Sequence, residues 1–238
     1  MKENIYFINA HPDDLDAAIG LAVVLRDTGR FNLKIVDLTG GEKALLSKNV
    51  PPEECAAIRK IEEEKVASEL NAELYWIGQP DGAACATPEA CRKIAELFME
   101  APPKVIVTHW LIDTHIDHVM AGAAALHALR ICSGLEGGML KNISAEVYFY
   151  DHIRNALANP HQILFPFDEK VMREKMRIIR LYESQDGSRL ADLRELENRY
   201  YGCRGRVPYA EAYTGFQPIT PGNNRFFDEL EKIQSNEN

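Results

Sequence analysis

The sequence predicts a three-layer α/β fold, in which a mostly parallel β-sheet lies between two layers of helices. Over residues 1–150, short apolar runs rich in β-branched and aromatic residues alternate with longer amphipathic segments, and this alternation indicates strands and helices in turn. Strands that alternate with helices form βαβ units, whose right-handed connections build a parallel sheet. Residues 104–109 are almost entirely apolar, as expected for a strand buried on both faces of such a sheet. We therefore predict a Rossmann-like core.

We assign this core to residues 1–155 and predict its strands and helices from the same pattern. Thr87 is a natural N-cap for the third helix, and Pro51 and Pro52 stop any helix that would begin before the second. Gly29 suits the position that follows the first helix. The predicted strands are 5–9, 33–39, 74–78, 104–109 and 146–150, and the predicted helices are 15–28, 53–70, 88–99 and 121–129.

The last third of the chain, residues 156–238, differs in pattern from the core. A basic amphipathic helix is predicted over 169–184 and a second helix over 190–200. We interpret this region as a C-terminal subdomain or arm that folds back over the sheet, so that the whole chain, 1–238, forms a single domain. Its last residues, 234–238, are polar and are expected to fray.

Composition and charge argue against several classes of function. A hydrophobic content of 46% and a charged content of 26% are those of an ordinary domain with a full core. The formal net charge of −9 argues against nucleic acid and anionic membranes as partners, because both attract basic surfaces. No apolar run approaches the roughly 18 residues that a membrane span needs. The first strand begins so early that we expect no signal peptide.

The five cysteines are odd in number and form no C-x-x-C pair. Without an export signal, they are best interpreted as reduced thiols, and we expect the protein to be cytoplasmic. A zinc site built on Cys85 and Cys91 is the weaker alternative, because the spacing of these two residues matches no structural-zinc pattern.

The first residues that suggest chemistry follow the first strand directly, in the run Ala10-His11-Pro12-Asp13-Asp14. In an open α/β sheet, ligands bind just beyond the carboxyl ends of the strands. His11 and Asp14 are suitable metal ligands, which leaves Asp13 as a carboxylate that could act as a base. The alternative is a polar turn in which Asp13 or Asp14 caps the following helix.

A second group of polar residues, His115, Asp117 and His118, follows the fourth strand and should lie at the same edge of the sheet. Catalytic zinc is typically held by three protein ligands with one position open. His118 can complete such a set with His11 and Asp14, and zinc would lower the pKa of a water to about 7 beside the remaining carboxylate. His115 would then stabilise a developing oxyanion or protonate a leaving group, while Asp117 would hold a ring N–H.

Together these motifs resemble those of the LmbE-like, PIG-L-type zinc N-deacetylases, which remove acetyl groups from N-acetylglucosamine units of glycolipids and sugar conjugates. The resemblance covers most of the chain, and the HPDD and HxDH motifs at 11–14 and 115–118 are its most specific part. The sequence departs from the family at Ala18-Ile19-Gly20-Leu21, where a Gly-x-Gly-Gly run is usual, and at Ile116, where proline is common. The other matching segments are Leu38-Thr39-Gly40-Gly41-Glu42, Arg59-x-x-Glu62, Asp113-Thr114, Tyr182-Glu183-Ser184-Gln185 and Ala210-Glu211-Ala212-Tyr213.

The resemblance implies a role for each residue that matches a family motif. Its implied zinc ligands are His11, Asp14 and His118. The resemblance also implies that Asp13 is the general base and that His115 lies on the oxyanion side of the substrate, with Asp117 tuning this histidine. It implies that Arg59 binds the substrate.

The function implied by the resemblance is metal-dependent removal of the N-acetyl group from an N-acetylglucosamine-type sugar or sugar conjugate, a small-molecule substrate. Zinc is the implied cofactor, although His and Asp ligands also accept other divalent metals such as Fe²⁺ or cobalt. Members of this family often form oligomers, so the resemblance is compatible with a homo-oligomer. Two alternatives stay open: a non-catalytic sugar- or nucleotide-binding protein, and a metal-dependent hydrolase of another amide or a phosphoester. The G-x-G-x-x-G phosphate-binding motif is absent after the first strand, which disfavours the nucleotide-binding alternative.

Several other polar residues have two interpretations. Arg59 and Glu62 lie one helical turn apart and could pair, or they could belong to a solvated face. The residues that could either line a pocket at the sheet edge or be ordinary structural residues are His109, Trp110, Asp113 and Thr114. Asp151 and His152 could reach the edge or lie at the surface. His127 lies on a predicted helix and is expected to be structural, and no pattern singles out His161.

Overall fold

The computed structural model describes residues 2–133, 143–150, 163–216 and 225–236. The strands in these ranges are β1 (Glu3–Asn9), β2 (Phe31–Thr39), β3 (Ala72–Gln79), β4 (Pro103–His109), β5 (Glu146–Tyr150), β6 (Ile163–Phe167) and β7 (Tyr209–Phe216). The α-helices are α1 (Ile19–Thr28), α2 (Pro52–Glu69), α3 (Pro88–Glu100), α4 (Ile116–Cys132), α5 (Glu169–Ile179), α6 (Gly187–Gly205) and α7 (Arg225–Asn236).

The strands form one sheet in the order β3-β2-β1-β4-β5-β7-β6. The first five strands in this order, from β3 to β5, run parallel to one another. Side chains alternate between the two faces of β1: Ile5 and Phe7 pack with α1, α2 and α5, whereas Tyr6 and Ile8 pack with α3 and α4. A layer of helices therefore covers each face of the sheet, which confirms the predicted three-layer α/β class.

The parallel arrangement brings three strand ends together at one edge of the sheet. β1 ends at Asn9, β2 at Thr39 and β4 at His109, and β1 pairs with both of the other strands. The hydroxyl of Thr39 donates a hydrogen bond to the carbonyl of Ala10 at 3.0 Å, so the loop after β1 is fixed to the end of β2. The polar motifs after β1 and β4 consequently lie at the same edge.

The C-terminal region adds two strands, β6 and β7, where the sequence predicts only helices and an arm. β7 runs antiparallel to β5, and β6 runs antiparallel to β7. Pro166 lies within β6, at the edge of the sheet, where a strand tolerates a residue without an N–H donor. Glu211 interrupts the apolar pattern of β7 although it is buried. Because of Pro166 and Glu211, hydrophobic periodicity does not predict these two strands.

Two helices near the predicted site begin later or earlier than the sequence predicts. The helix predicted from residue 15 begins at Ile19, because a 3-10 turn over Asp14–Ala17 follows the left-handed backbone of Asp13 (φ 92°). Asp13 precedes that turn but makes no capping hydrogen bond through its side chain, and the residue that precedes α1 is Ala18. The helix-cap alternative is therefore wrong for both Asp13 and Asp14. The helix predicted from residue 121 begins at Ile116, which places the second polar motif in its first turn.

The helices of the C-terminal region also differ from the prediction. α5 ends at Ile179 instead of residue 184, and α6 begins at Gly187 instead of residue 190. A Cβ atom on Gly187 would lie 2.6 Å from the carbonyl oxygen of Ile179. Glycine therefore permits the close approach of the two helix ends, and the turn between them replaces the last turn of the predicted helix.

The N-terminus of α1 is anchored by a buried carboxylate from β7. Glu211 accepts hydrogen bonds from the main-chain N–H groups of Gly20 (2.7 Å) and Leu21 (2.9 Å). Its carboxylate also accepts hydrogen bonds from the Tyr213 hydroxyl at 2.7 Å and from the ammonium of Lys175 on α5 at 2.7 Å. The charged side chains of Glu211 and Lys175 are almost completely buried. A carboxylate is favoured at a helix N-terminus by the helix dipole. This contact orients α1 and the loop that leads into it.

None of the helices in the described ranges has both the length and the hydropathy of a membrane-spanning segment. None of the five cysteines, all of which lie in the described part of the chain, forms a disulfide. Cys85 is exposed whereas Cys91 is buried in the apolar core between α3 and α4, so these two residues do not form the zinc site weighed above.

Candidate active site

The structure brings the three predicted metal ligands together at the edge of the sheet. His11 and Asp14 lie on the loop after β1, and His118 lies in the first turn of α4. The Asp14 carboxylate lies between the two rings, with Oδ2 3.3 Å from His11 Nδ1 and Oδ1 3.5 Å from His118 Nε2. All three residues are buried. The loop is tightened by Asp14 itself, which accepts a hydrogen bond from the His11 N–H at 2.8 Å.

The nitrogen of each ring that points away from Asp14 contacts another carboxylate. His11 Nε2 lies 3.2 Å from Asp117 Oδ2 and 3.3 Å from Asp81 Oδ1. His118 Nδ1 lies 3.0 Å from Asp113 Oδ2. A proton on each outer nitrogen would be held by these carboxylates, which leaves the lone pairs of the inner nitrogens beside Asp14. This is the arrangement that orients histidines as metal ligands.

The charges around the two histidines favour a cation between them. Burial by itself would lower the pKa of His118, but the carboxylates of Asp14 and Asp113 raise it to about 9. Burial also opposes a positive charge on His11, but the nearby carboxylates, above all Asp14, raise its pKa well above the ordinary value. In return, His118 and the other neighbouring histidines hold the pKa of Asp14 well below its usual range, against the effect of burial. Two imidazoles and a carboxylate in such a setting suit a divalent metal.

A third histidine, His109, contacts the same carboxylate. It is the last residue of β4 and fully buried, with Nε2 3.1 Å from Asp14 Oδ2. Its ring stacks on His118 at a centroid distance of 4.2 Å. The same Nε2 accepts a hydrogen bond from the Ala10 N–H at 3.2 Å, so its lone pair is already engaged. His109 therefore supports the loop and the His118 ring, which is more than the pocket-lining role considered from sequence.

The carboxylate of Asp13, the predicted base, contacts the guanidinium of Arg59. Burial is the largest influence on Asp13 and raises its pKa to about 6, although the positive charge of Arg59 opposes this and Asp14 adds to it. A carboxylate with a pKa near 6 is ionised at neutral pH and is a stronger base than an ordinary aspartate. The site thus contains two adjacent carboxylates with different abilities: Asp14 can bind a metal, and Asp13 can act as a base.

Arg59, which the resemblance assigns to substrate binding, is buried on α2 and donates to several oxygens of the protein. Besides Asp13 it contacts the carbonyl of Pro12, and Nη1 donates to the carbonyl of Gly41 at 3.0 Å. The considered pairing of Arg59 with Glu62 is not present. Instead Glu62 is buried and accepts hydrogen bonds from the N–H and the hydroxyl of Ser184, at 2.7 and 2.6 Å. The interpretation of these residues as a solvated face is therefore wrong.

His115 and Asp117 occupy the remaining side of the site. His115 Nδ1 accepts a hydrogen bond from the Asp117 main-chain N–H at 3.3 Å, and the His115 ring stacks on that of His118 at 4.7 Å. Burial, followed by the charges of His11 and His118, lowers the pKa of His115, so this ring is neutral. The carboxylate of Asp117 contacts His11 and not His115, and it also accepts hydrogen bonds from the N–H groups of Gly82 and Ala84, at 2.6 and 3.0 Å.

These residues open into a cavity of about 740 Å³. Leu190 and Leu193 of α6 line it, together with the polar residues His11, Asp13, Asp14, Arg59, Asp81, His115 and His118. Besides Arg59, the cationic side chains of Lys43, Arg189 and Arg194 also line it. The cavity is large enough to hold a sugar-sized ligand against the Asp13 and Asp14 carboxylates.

A comparison with protein families identifies the chain. The model of the PIG-L family, described as GlcNAc-PI de-N-acetylase, matches residues 6–129, which is more than half of the 238 residues. The chain belongs to the PIG-L family. The match includes both polar motifs and confirms the resemblance predicted from sequence, and it supports an N-deacetylase of the hydrolase class. No curated protein matches the chain significantly in sequence.

Solved structures confirm the fold of this PIG-L family member. N,N'-diacetylchitobiose deacetylase from Pyrococcus horikoshii is 23% identical, with a TM-score of 0.76 over 94% of this chain and 88% of that one. The conserved protein TT1542 from Thermus thermophilus is also 23% identical, with a TM-score of 0.75 over 92% and 97% of the two chains. The 4-carboxy-2-hydroxymuconate hydratase of Pseudomonas putida is 18% identical, with a TM-score of 0.76 over 94% and 99%. Since one neighbour is a hydratase, the fold alone does not determine the reaction.

Some residues of this PIG-L site could not be recognised from sequence. Asp81 lies in a Gln-Pro-Asp-Gly segment, which indicates only a turn, yet its carboxylate contacts His11. Glu63 lies among other glutamates on α2, yet it is completely buried. Asp113, considered as a pocket residue, contacts His118. Asp151, His152 and His161 lie outside the described residues, and His127 lies within α4.

Proposed function

We propose that this protein is a metal-dependent N-deacetylase that hydrolyses the N-acetyl group of an N-acetylglucosamine-type sugar or sugar conjugate. The observation that carries this proposal is the Asp14 carboxylate between His11 and His118, with Asp13 beside it. Membership of a family described as GlcNAc-PI de-N-acetylase supports the reaction class and an acetylated amino sugar as the substrate. The diacetylchitobiose deacetylase among the structural neighbours agrees with such a substrate.

We propose His11, Asp14 and His118 as the ligands of a divalent metal, zinc in the first instance or another metal such as Fe²⁺. When bound, the metal supplies Lewis acidity and lowers the pKa of a water toward neutrality. His109 is the alternative partner of Asp14 and His118, but its Nε2 is engaged by the Ala10 N–H. Asp117 and Asp81 hold the outer nitrogen of His11 and so fix its ring.

Asp13 acts as the general base in the proposed reaction. It removes a proton from the attacking water, and its pKa of about 6 leaves it ionised and ready to do so at neutral pH. As the C–N bond breaks, the same carboxyl gives the proton to the nitrogen, which leaves as a neutral amine. Arg59 holds the carboxylate through a charge-assisted hydrogen bond. Because Arg59 also lines the cavity, a contact with the sugar remains part of the proposal.

His115 stabilises the negative charge that develops on the acetyl oxygen. Its Nδ1 accepts the Asp117 main-chain N–H, so the proton of the neutral ring lies on Nε2, where it can be donated to the oxygen. A donor that is positioned before the reaction stabilises the tetrahedral oxyanion without further rearrangement. Asp117 therefore contacts both histidines: its main-chain N–H donates to His115, and its carboxylate contacts the ring of His11.

The proposal is tested by measuring metal content and amine release from N-acetylglucosamine and N,N'-diacetylchitobiose. Wild-type protein is compared with His118→Ala and with the matched control His127→Ala, which changes a histidine of the same helix outside the cavity. We expect one equivalent of metal and free amine from the wild type and the control, and loss of both in His118→Ala. Protein that takes up no zinc would overturn the mechanism and favour the binding-protein alternative. Bound metal with release of phosphate from phosphoesters, but no amine, would indicate the other hydrolase.

A further inference from the structure

Glu63 lies directly beneath the proposed base. It is completely buried on α2, and its Oε2 accepts a hydrogen bond from the main-chain N–H of Asp13 at 3.3 Å. Arg59, four residues earlier on the same helix, contacts the side chain of Asp13. Residues four apart lie on the same helical face. One face of α2 therefore contacts Asp13 at two points, through Arg59 at its carboxylate and through Glu63 at its main-chain N–H.

The backbone of Asp13 needs such contacts. Its φ of 92° and ψ of −22° lie in the left-handed region, which residues with a Cβ seldom occupy and which costs free energy. The preceding residue is Pro12, which has no N–H of its own to hold the loop. Within the turn, the carbonyl of Asp13 accepts the Asp16 N–H at 3.0 Å, so the Asp13 N–H is left for a contact from outside the loop. That contact is the hydrogen bond to Glu63.

We propose that Glu63 is a positioning residue for catalysis, which holds the backbone of Asp13 in the left-handed conformation and thereby aims its carboxylate into the cavity. This inference rests on the proposed function, because it takes Asp13 as the base. Without an acceptor at this place, the N–H would be left buried and the backbone could relax to a negative φ. The Asp13 carboxylate would then swing away from its position beside Asp14.

The contact with the Asp13 N–H needs an acceptor oxygen on Glu63, which the carboxyl offers whether it is ionised or neutral. Burial raises the pKa of Glu63 to about 7, although the contacts with Tyr182 and with the Asp13 N–H oppose the shift. A second buried carboxyl, Asp37 on β2, has its own pKa raised well above the ordinary value by burial and by the charge of Glu63. A neutral carboxyl keeps a carbonyl oxygen that accepts the Asp13 N–H. Glutamine has the same oxygen in the same place.

The test compares Glu63→Gln with Glu63→Met, which are similar in size but differ in the acceptor oxygen. We expect Glu63→Gln to keep kcat within roughly threefold of the wild type, and Glu63→Met to lower kcat by about 10²-fold because the base is misplaced. KM and metal content should change little in either. Val66→Ala is the matched control, since Val66 is buried on the same helix and its truncation costs stability without touching Asp13. Glu63→Ala replaces the methionine variant if that one does not fold.

A second comparison distinguishes a positioning role from general damage. If Glu63 acts through Asp13, Glu63→Met should lower kcat further by no more than about threefold in an Asp13→Asn background, because residues that act as a unit are not additive. Equal losses in both backgrounds, or equal losses in Glu63→Gln and Glu63→Met, would overturn the proposal. Failure of the proposed function is seen separately, as an Asp13→Asn variant that retains full activity.

Discussion

Arg194 of α6 and Asp16 form a buried ion pair in which Arg194 Nη2 lies 2.7 Å from Asp16 Oδ1. Their side chains are 2% and 3% exposed. Asp16 belongs to the 3-10 turn that begins at Asp14, so this pair ties the C-terminal region to the segment that carries the proposed base and one proposed ligand. Arg194 also contacts Glu197 at 2.6 Å, which holds its guanidinium in place. The C-terminal helices thereby contribute to the geometry of a site built mainly from the first half of the chain.

Replacing Arg194 by methionine should therefore weaken both the fold and the site. Removing one partner of a buried pair leaves the Asp16 carboxylate uncompensated, and the free energy of unfolding should fall by about 3–5 kcal/mol. Urea denaturation measures this loss, and amine release should fall because the turn is no longer fixed. Lys60→Met is the control, since Lys60 is exposed on α2 and its contact with Glu64 is 3.9 Å long. A loss in Arg194→Met that is no larger than in the control would contradict this role.

Asp13→Asn should separate metal binding from catalysis. Asparagine keeps the shape of the side chain but cannot accept a proton as a base, so kcat should fall by roughly 10²–10⁴-fold. Metal content should stay at the wild-type level, because the proposed ligands are other residues. Steady-state amine release and metal analysis check both expectations. The same substitution at Asp27, exposed at the end of α1, should leave both unchanged. Near-normal turnover in Asp13→Asn with metal bound would show that the base is another group.

The contact between the two polar motifs could be predicted from sequence because it follows from topology. Parallel strands end at a common edge, so the residues after β1 and β4 had to meet there. The partners of His11 could not be predicted in the same way. Asp81 reaches His11 only because the loop after β3 folds back over the edge, where Asp81 Oδ2 accepts the Lys43 N–H at 2.7 Å. Nothing in a turn-forming segment indicates such a contact.

The sequence also did not show which glutamates of the charged helix α2 are buried. Glu62, Glu63 and Glu64 are consecutive, and the first two are buried while the third is exposed. Which of them faces the site depends on how α2 packs against the loop after β1, and hydrophobic periodicity does not encode this. The strands β6 and β7 were missed for a related reason, since buried charges and an edge proline break the pattern by which strands are recognised.

The stability of metal-free protein should depend on pH through His118. Its pKa is about 9 in the folded protein against an ordinary value of 6.5, so its proton stabilises the fold below pH 6.5, and this contribution is lost as the pH rises through about 9. After chelation, the difference in Tm between wild type and His118→Gln should therefore be largest below pH 6.5 and shrink toward pH 9. Thermal melts of both proteins across this range provide the measurement. A difference that grows with pH would contradict the direction of the pKa shift.

Gly20→Ala should show whether the anchor of α1 controls the site. An added Cβ would lie 2.6 Å from Glu211 Oε1 and 3.0 Å from the Phe167 ring, and Glu211 cannot move freely because Lys175 holds it. We expect a loss of about 1–3 kcal/mol in the free energy of unfolding, together with lower kcat, since α1 would shift with the loop before it. In the control, Gly205→Ala, the nearest atoms lie at 3.4 Å and both quantities should stay close to wild type. Reduced stability with unchanged kcat would mean that the loop is held by other contacts, such as the ion pair between Asp16 and Arg194, and not by the Glu211 contact with α1.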